Sequence, residues 1–575
     1  MGVFMNKTII GESDFKRLRQ AGAYYVDKSL FVEEVLTSPY KIILLTRPRR
    51  FGKTLNLNLL YHFFEKRETD ESNLFEGLAI SLSDVYQDHL SKYPVINLTF
   101  KDIKDDTFDV AIHRIGVLIH EVFDKHRYLL QWDSLSSLAS QLFDKVLTQK
   151  AEPKDLVDSI RILSEQLQRY HHQEVIILID EYDTPIHAAY TNDYFQKMIG
   201  FLRNFLSGAF KDNSSLYKGV ITGALRIAKE SIFTGLNNLA VLTLMDEEFN
   251  TCFGFTISEV QTILDDFGLS NYFDSILKWY DGYNFGNNKI LNPWSVMNFI
   301  AQSNKAFKPY WLNTASMDMI EEVLTPGQHS LRNELNDLIE GRTIIKPIYE
   351  NIVFSDLNDK NSELLWSFLL HSGYLTVVNE IPGRFRQKYQ LQIPNHEVSI
   401  IYFELIEKWL KHHINLSQLE ALLRSLTKGD IKLFEKKLKA ICLEIMSFHD
   451  FAGQPEKVYN ALVLGILVWL SDDYDIRSNR ESGFGRYDIV FKPKNLKNQG
   501  IIIEFKRVEE NECPDDVLTD AMKQIDDKAY DVELKSAGVR DILKIAIGFR
   551  GKDVYLKSSN INNGKVVDRA LLNKS

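Results

Sequence analysis

Residues 41–54 read Lys41-Ile-Ile-Leu-Leu-Thr-Arg-Pro-Arg-Arg-Phe-Gly-Lys-Thr54, and this stretch decides the fold class of the first half of the chain. The apolar run predicts a buried strand, and Gly52-Lys53-Thr54 predicts a phosphate-binding loop that opens the next helix. Backbone N–H groups at a helix N-terminus attract phosphate, the lysine reaches the β- and γ-phosphates, and the hydroxyl suits Mg²⁺. Arg47 stands where such loops usually have a glycine, so a basic turn before a helix is the alternative interpretation.

A second apolar run, Val175-Ile-Ile-Leu-Ile179, ends in the carboxylates Asp180 and Glu181. In nucleotide hydrolysis, one carboxylate near the phosphate loop holds the metal and another residue polarises the attacking water. We assign Asp180, together with Thr54, to Mg²⁺ and Glu181 to the catalytic base. Helix caps also explain acidic residues at strand ends, so this assignment depends on the pairing with the phosphate loop. The predicted contacts of ATP are Arg49, Arg50, Phe51, Gly52, Lys53, Thr54 and Asp180.

The alternation of short β-rich runs with amphipathic segments in residues 1–245 predicts a parallel α/β sheet. Residues 246–400 are richer in helical patterns, which predict a helical lid and linker, and from about 320 onwards they include short strands such as Tyr374-Leu-Thr-Val-Val378. Residues 401–575 begin with helices and end in β-rich runs around one helix near 515–532, which predicts a second α/β domain. The β-rich runs of the first domain are 41–46, 93–100, 175–179 and 219–223, and its helical segments include 108–122 and 156–170.

The C-terminal β-rich region contains Asp488-Ile-Val-Phe491 and Glu504-Phe505-Lys506. Alternation along a strand puts Glu504 and Lys506 on one face, and Asp488 on a neighbouring strand adds a second carboxylate. Two carboxylates and a backbone carbonyl are oxygen ligands of the kind that Mg²⁺ prefers, and such a metal supports phosphodiester hydrolysis. We therefore predict a metal site at Asp488 and Glu504, with Lys506 orienting or deprotonating the attacking water. A solvated hairpin with ordinary surface charges is the alternative interpretation.

Composition limits the classes of function. The chain has 575 residues, 45% of them hydrophobic, which is enough for several cores. Its formal net charge of −10 excludes a surface built throughout for a polyanion, so any nucleic-acid contact must be local. Three scattered cysteines exclude a disulfide framework and have no zinc-ligand spacing. Because we find no signal-peptide pattern and no apolar run long enough to span a bilayer, we expect a cytoplasmic protein with no membrane partner.

Several segments together resemble the bacterial AAA-ATPase-like family that carries a C-terminal PD-(D/E)XK nuclease-like domain. In that family the phosphate loop begins Arg-Pro-Arg-Arg-Phe-Gly-Lys, as it does here from Arg47. The resemblance covers nearly the full length and implies an AAA-like P-loop NTPase with a helical lid, followed by a restriction-endonuclease-like α/β domain. The segments that carry it are Tyr25-Val-Asp-Lys-Ser29, Arg47 to Thr54, Asp180-Glu-Tyr-Asp-Thr-Pro185 and Thr222 to Asn238.

The same resemblance implies roles for further residues. Thr222 suits a polar sensor of the γ-phosphate, and Arg226 suits an arginine that stabilises charge during phosphoryl transfer. Glu456 and Gln524, on predicted helices before and after the C-terminal carboxylates, resemble accessory positions of the nuclease superfamily. The segment from Tyr25 to Lys28 is expected to flank the nucleotide base.

Two hypotheses follow for the function. The leading one is an ATPase whose nucleotide state controls a Mg²⁺-dependent, endonuclease-like domain that acts on DNA. The alternative is a nucleotide-switched sensor or scaffold whose nuclease-like domain binds nucleic acid or protein without cutting. Both hypotheses use the same residues, so the sequence does not decide between them. It also does not decide whether the nucleic acid is DNA or RNA, or whether the chain forms a homo-oligomer. Whether Arg226 acts on the nucleotide of its own subunit or on that of a neighbour is likewise open.

Overall fold

The chain forms two compact units. The first unit comprises residues 1–324 and 343–399, and the second comprises residues 325–342 and 400–575. The predicted division at residues 245 and 400 stays a prediction. The computed structural model describes residues 8–67, 71–225, 232–233, 236, 238–311, 334–335, 337–338, 341–349, 362–383, 386–402, 404, 416–447, 470, 473–481, 486–509, 511–527, 530–550, 553–562 and 565–568. Within those ranges no helix is long and apolar enough to cross a bilayer.

A five-stranded sheet forms the core of the first unit. Its strands are β1 (Ile42–Thr46), β2 (Val95–Thr99), β3 (Val175–Asp180), β4 (Leu216–Gly223) and β5 (Leu239–Leu242). They lie in the order β2-β3-β4-β1-β5, and every pairing is parallel. All residues of β1 and β3 are buried, as expected of parallel strands that helices cover on both faces. Because β4 lies between them, the phosphate loop after β1 and the carboxylates after β3 are separated by one strand.

The helices of the first unit confirm the segments predicted from apolar spacing. In the helix predicted at 156–170, Leu156, Ile160, Leu163 and Leu167 recur at helical spacing and are buried. That helix begins at a proline and carries a capping box, two features that favour its N-terminus. The helices are α1 (Phe15–Gln20), α2 (Phe31–Thr37), α3 (Lys53–Phe64), α4 (Val85–His89), α5 (Phe108–Lys125), α6 (Ser137–Leu147), α7 (Pro153–His171), α8 (Thr184–Thr191) and α9 (Phe195–Phe210).

Residues 246–400 combine helices with two small antiparallel sheets. The first sheet has the order β6-β8-β7, with β6 (Phe255–Thr256), β7 (Tyr283–Phe285) and β8 (Asn288–Leu291). The second has the order β10-β11-β9, with β9 (Ile344–Pro347), β10 (Thr376–Ile381) and β11 (Lys388–Gln392). The predicted strand at 374–378 overlaps β10, and the structure adds the other strands of these sheets. The helices are α10 (Ile257–Asp266), α11 (Phe273–Tyr280), α12 (Pro293–Ala301) and α13 (Ser362–His371).

The second unit is built on a six-stranded sheet whose strands follow chain order. Its strands are β12 (Tyr474–Glu481), β13 (Arg486–Pro493), β14 (Gly500–Arg507), β15 (Asp541–Arg550), β16 (Asp553–Asn562) and β17 (Lys565–Asp568). Of these pairings β14 with β15 is parallel and the others are antiparallel. A parallel pair needs a crossover, which two helices supply where the sequence predicted one. The helices of this unit are α14 (Leu416–Thr427), α15 (Ile431–Ser447), α16 (Pro514–Asp527) and α17 (Tyr530–Ser536).

Both faces of this second sheet are covered, and the alternation along β14 shows how. Ile501, Ile503 and Phe505 belong to an apolar cluster with residues of α14 and α15. Ile502 belongs to a different cluster, which includes Ile525 of α16. Residues at even positions of β14 therefore face α16, which places Glu504 and Lys506 on the α16 side of the sheet.

Candidate functional site

The phosphate-loop lysine is held by the loop from which it emerges. Lys53 begins α3, and its Nζ donates to the backbone oxygens of Arg47 and Pro48, each 2.9 Å away. Gly52 has a φ of +88°, a left-handed conformation that glycine adopts without strain. Burial lowers the pKa of Lys53, and the nearby carboxylate of Glu181 opposes that shift. The loop thus holds an ammonium group at a helix N-terminus, where phosphate is bound readily.

The carboxylate of Asp180 accepts hydrogen bonds from two side-chain hydroxyl groups, which lie on two different elements. Thr54 Oγ1, in the first turn of α3, donates to Asp180 Oδ2 at 2.7 Å. Thr222 Oγ1, near the end of β4, donates to Asp180 Oδ1. Burial raises the pKa of this carboxyl, and the two hydroxyl groups act in the opposite direction. The predicted metal-binding pair, Thr54 and Asp180, is therefore brought into contact, with Thr222 beside it.

The turn after β3 is held against the segment that follows β4. Glu181 has a φ of +51°, which is uncommon outside glycine, and its carboxylate accepts from Thr184 Oγ1 at 3.2 Å. Asp183 is buried, and its Oδ2 accepts from the backbone N–H groups of Ala224 and Leu225 at 2.9 Å each. Burial raises the pKa of Asp183, and these N–H groups lower it. No role is predicted for Asp183 from the sequence, although it lies between the predicted base Glu181 and Pro185.

Arg47, in the place of the usual glycine, is buried and binds backbone carbonyl groups. Its side chain is 0% exposed, and its guanidinium donates to the backbone oxygens of Leu242 and Phe249, each 3.2 Å away. The same group lies over two phenylalanine rings at 5.4 and 5.5 Å. Burial lowers the pKa of Arg47 to about 10, so the side chain is still charged at neutral pH. Arg47 thus joins the start of the phosphate loop to the chain after β5.

The predicted ATP contacts Arg49, Arg50 and Phe51 have different surroundings. Phe51 is fully buried and packs against Tyr283 and Phe285 of the β7–β8 hairpin. The guanidinium of Arg50 lies 4.1 Å above the ring centre of Trp294. The backbone oxygen of Arg49 accepts from Trp311 Nε1 at 3.1 Å. All three predicted contacts nevertheless line the same cavity.

That cavity has a volume of about 460 Å³ and opens on the phosphate loop. Its size lies within the range of roughly 300–1,000 Å³ that is usual for small-molecule sites. One part of its wall comes from residues 49–56 and from the carboxylates after β3. Another part comes from residues 9–13 and from Trp294 and Met297 of α12. Tyr25 and Lys28, expected beside the nucleotide base, also line it, although Lys28 Nζ is 2.7 Å from Glu259 of α10.

A buried carboxyl group that the sequence does not reveal connects this wall to the phosphate loop. Glu397 is 0% exposed, and its oxygens accept from Ser295 Oγ at 2.8 and 2.9 Å and from the backbone N–H of Trp311 at 2.8 Å. The indole Nε1 of Trp311 in turn donates to the backbone oxygen of Arg49 in the phosphate loop. Burial raises the pKa of Glu397 to about 7. No local pattern marks this glutamate, because its partners are 102 and 86 residues away.

In the second unit, the predicted nuclease residues meet on the side of the sheet that α16 covers. Glu504 pairs directly with Asp488 in the antiparallel register of β14 and β13, so the two residues share one face. Glu504 is 0% exposed, and its Oε1 lies 2.7 Å from Lys506 Nζ. Lys506 Nζ also donates to Oε1 of Gln524, on α16, at 2.5 Å. The structure therefore brings three of the predicted residues together through hydrogen bonds and a fourth through strand register.

Small residues on β15 explain why α16 comes so close. Ala546 and Gly548 are the β15 partners of Glu504 and Lys506. A Cβ on Gly548 would lie 2.9 Å from Val508 and 3.3 Å from Leu518 of α16. A larger residue would push the helix away and separate Gln524 from the lysine. The close approach of the helix thus depends on positions that carry no chemistry of their own.

Both candidate sites offer the oxygen ligands that Mg²⁺ prefers: a carboxylate with a hydroxyl in the first unit, and a carboxylate facing a second acidic position in the other. Among the side chains that the structure describes, no cluster of three or more His, Cys, Asp or Glu residues is placed to hold a metal. Mg²⁺ keeps several water ligands, so few protein ligands suffice. Arg226, Glu456 and the side chain of Asp488 lie outside the described part of the chain.

Two parts of the chain match models of known protein families. Residues 9–233 match the protein-family model described as Predicted AAA-ATPase, and residues 454–559 match that of the PD-(D/E)XK nuclease superfamily. The chain therefore combines an AAA-ATPase-like domain with a PD-(D/E)XK domain. Lys53 and Asp180 lie in the first match, and Glu504 and Lys506 lie in the second. The predicted pair of domains and the α/β fold class are confirmed.

One relative resembles the chain across both domains. It is a protein of Azotobacter chroococcum mcd 1 with the name "Uncharacterized protein in vnfD 5'region", 24% identical over 548 residues, which cover 92% of this chain and 94% of that protein. Among solved structures, the Walker-type ATPase of Pyrococcus abyssi is 12% identical with a TM-score of 0.30 and covers 70% of this chain and 99% of its own. A TM-score this low carries no argument about the fold.

Proposed function

We propose that the AAA-ATPase-like domain binds ATP with Mg²⁺ and hydrolyses it. The observation that carries this proposal is the 2.7 Å hydrogen bond between Thr54 Oγ1 and Asp180 Oδ2, beside the lysine of the phosphate loop. When bound, Mg²⁺ would supply charge neutralisation at the phosphates. Lys53 exchanges its two loop carbonyls for phosphate oxygens, and Glu181 accepts a proton from the attacking water or polarises it.

Replacement of the phosphate-loop lysine tests this proposal. In full-length protein with Mg²⁺, Lys53→Ala should lower ATP turnover by about 100-fold or more, because it removes a positive charge aimed at the transferred phosphate. Lys154→Ala is a matched control, since that lysine belongs to the same unit and its side chain is largely exposed. Turnover is measured as phosphate release, and folding by circular dichroism. Undiminished turnover in a folded Lys53→Ala protein would refute the ATPase proposal.

For the PD-(D/E)XK domain, we propose Mg²⁺-dependent cleavage of DNA. The contact that supports this is Lys506 Nζ against Glu504 Oε1 at 2.7 Å, with Gln524 holding the same ammonium from α16. Asp488 and Glu504 would hold the metal, which supplies charge stabilisation at the scissile phosphate. Lys506 orients the attacking water or, as the free amine, takes up its proton.

A nuclease assay with paired lysine variants tests this second proposal. Lys506→Met should abolish Mg²⁺-dependent cleavage of plasmid and single-stranded DNA, as should Asp488→Ala. Lys544→Met is the matched control, because Lys544 is also buried, lies on the neighbouring strand and contacts Asp526 of α16 at 2.6 Å. We expect the control to keep cleaving. Cleavage by both Lys506→Met and Asp488→Ala would contradict the proposed site.

Nucleotide control of cleavage is measured in the same assay, with and without ATP. We expect the cleavage rate of wild-type protein to change with ATP, and to stop responding to ATP in Lys53→Ala. A wild-type protein that binds ATP but cuts neither DNA nor RNA would contradict the nuclease proposal. That result would favour a nucleotide-switched scaffold instead. The elution volume of the chain with and without ATP shows whether a homo-oligomer forms.

A further inference from the structure

The cavity beside the phosphate loop extends beyond the residues that suit phosphates, to an indole ring. Trp294 and Met297 are three positions apart on α12, so they lie on one face of that helix, and both are half-buried. Ile9 and Ile10 line the same cavity from the N-terminal segment. A triphosphate alone needs no apolar wall. This end of the cavity therefore fits an uncharged, flat part of the ligand.

The indole ring of Trp294 is held in a fixed orientation. Its Nε1 donates to the backbone oxygen of Tyr310 at 3.1 Å, which satisfies the polar edge of the ring. A Cβ on Gly11 would lie 3.7 Å from the six-membered ring, so any side chain at that position would contact the ring. On one face of the ring lies the guanidinium of Arg50, 4.1 Å from the ring centre. The ring is thus a preformed stacking surface, one face of which the Arg50 guanidinium covers.

We propose that Trp294 is the stacking surface for the purine base of the bound nucleoside triphosphate, and that the base displaces the Arg50 guanidinium from the ring. This inference rests on the proposed ATP binding and adds the part of the site that recognises the base. Stacking of bases on aromatic rings is favourable for every base, and the larger purine rings cover more of an indole. The displaced guanidinium belongs to the phosphate loop itself, so it is already placed to meet the negative charge of the phosphates.

Comparing ATP with inorganic tripolyphosphate separates recognition of the base from recognition of the phosphates. Wild-type, full-length protein should bind Mg–ATP more tightly than Mg–tripolyphosphate in titration calorimetry. Trp294→Leu keeps an apolar side chain but removes the aromatic face, so its affinity for ATP should fall by about 5- to 100-fold. Its affinity for tripolyphosphate should stay within about twofold of the wild type, since the phosphate loop is unchanged.

Trp279→Leu is the matched control, because Trp279 belongs to the same unit but packs on Phe307 and His396. It should leave the preference for ATP over tripolyphosphate unchanged. The thermal unfolding midpoint of each variant without ligand shows whether it folds, and Trp294→Phe, which restores an aromatic face, should recover most of the lost affinity.

Four results would overturn the inference. An unchanged preference for ATP in folded Trp294→Leu would show that the base does not stack on this ring. Equal affinities for CTP and ATP in the wild type would contradict the choice of a purine. A wild type that binds neither ATP nor tripolyphosphate would refute the ATPase proposal itself, whereas binding of both with equal affinity would refute only the base site.

Discussion

Replacing Glu397 by glutamine is expected to change how the stability of the first unit depends on pH. The carboxyl group is 0% exposed, so burial disfavours its charged form and raises its pKa from 4.5 to about 7. The titratable groups that its charge reaches include the phenols of Tyr280 and Tyr310, whose pKa values it raises further. Both phenols are therefore neutral at every pH of interest, and the glutamate titrates in this range without them.

The sign and size of the effect follow from proton linkage. Between pH 4.5 and 7 the folded protein holds this proton more tightly than the unfolded chain does, so the free energy of unfolding falls as pH rises. Each tenfold difference in proton affinity corresponds to about 1.4 kcal/mol. A carboxyl that titrates near 7 when folded and at 4.5 when unfolded therefore removes about 3 kcal/mol of stability across that interval. Glu397→Gln carries no proton to lose, so it should escape this decline.

Denaturant unfolding of both proteins at pH 4.5, 6, 7 and 8 measures the difference directly. Tryptophan fluorescence is a suitable probe, since Trp132, Trp279, Trp294, Trp311 and Trp366 lie in the first unit and the chain has seven tryptophans. The contributions of other titrating groups to the free energy of unfolding cancel when the two proteins are compared at the same pH. The glutamine variant should gain about 3 kcal/mol relative to wild type from pH 4.5 to pH 8. A stability difference that stays constant over this range would refute the reasoning.

Three further substitutions have expected outcomes. Arg47→Met removes the donor to buried carbonyl groups, so calorimetry should show a stability loss of about 2–5 kcal/mol. Gly223→Ala places a Cβ 2.5 Å from the ring of Tyr182, so it should lower the free energy of unfolding by about 1–3 kcal/mol and reduce ATP turnover. The control Gly200→Ala has open space around its Cβ and should be neutral or stabilising. Gln524→Leu should slow DNA cleavage without changing the thermal unfolding midpoint by more than about 5 °C, because it removes a partner of the candidate catalytic lysine from a partly exposed position.

The parts of the candidate sites that could be predicted are those with a local signal. Lys53 and Thr54 follow an apolar strand, and Asp180 ends another, so their nearness follows from the rule that parallel strands bring their carboxyl ends to one edge of a sheet. Glu504 and Lys506 share a face because side chains alternate along a strand. In each case a pattern of a few residues was sufficient.

The parts that could not be predicted depend on contacts between distant segments. Arg47 appeared from its position to be a substitute for a glycine, but its guanidinium binds carbonyl groups about 200 residues further along the chain. Asp183 looked like one more acidic residue of a turn, and its carboxylate instead accepts two N–H groups of the segment after β4. No local pattern marks Trp294 as part of a binding site, and it becomes part of the cavity wall only through the folding of α12.

Local sequence indicates the strand that precedes the phosphate loop and the residue types at the ends of β1, β3 and β14, because these depend on periodicity and on neighbours within one element. The resemblance to a known family indicates the two kinds of domain. Only the tertiary structure decided which polar groups satisfy one another. Thr54 and Thr222 both donate to Asp180, from positions 126 residues before it and 42 residues after it. The physical reason is that a buried charged group must be hydrogen-bonded wherever its partners lie in the chain, and local sequence does not specify those partners.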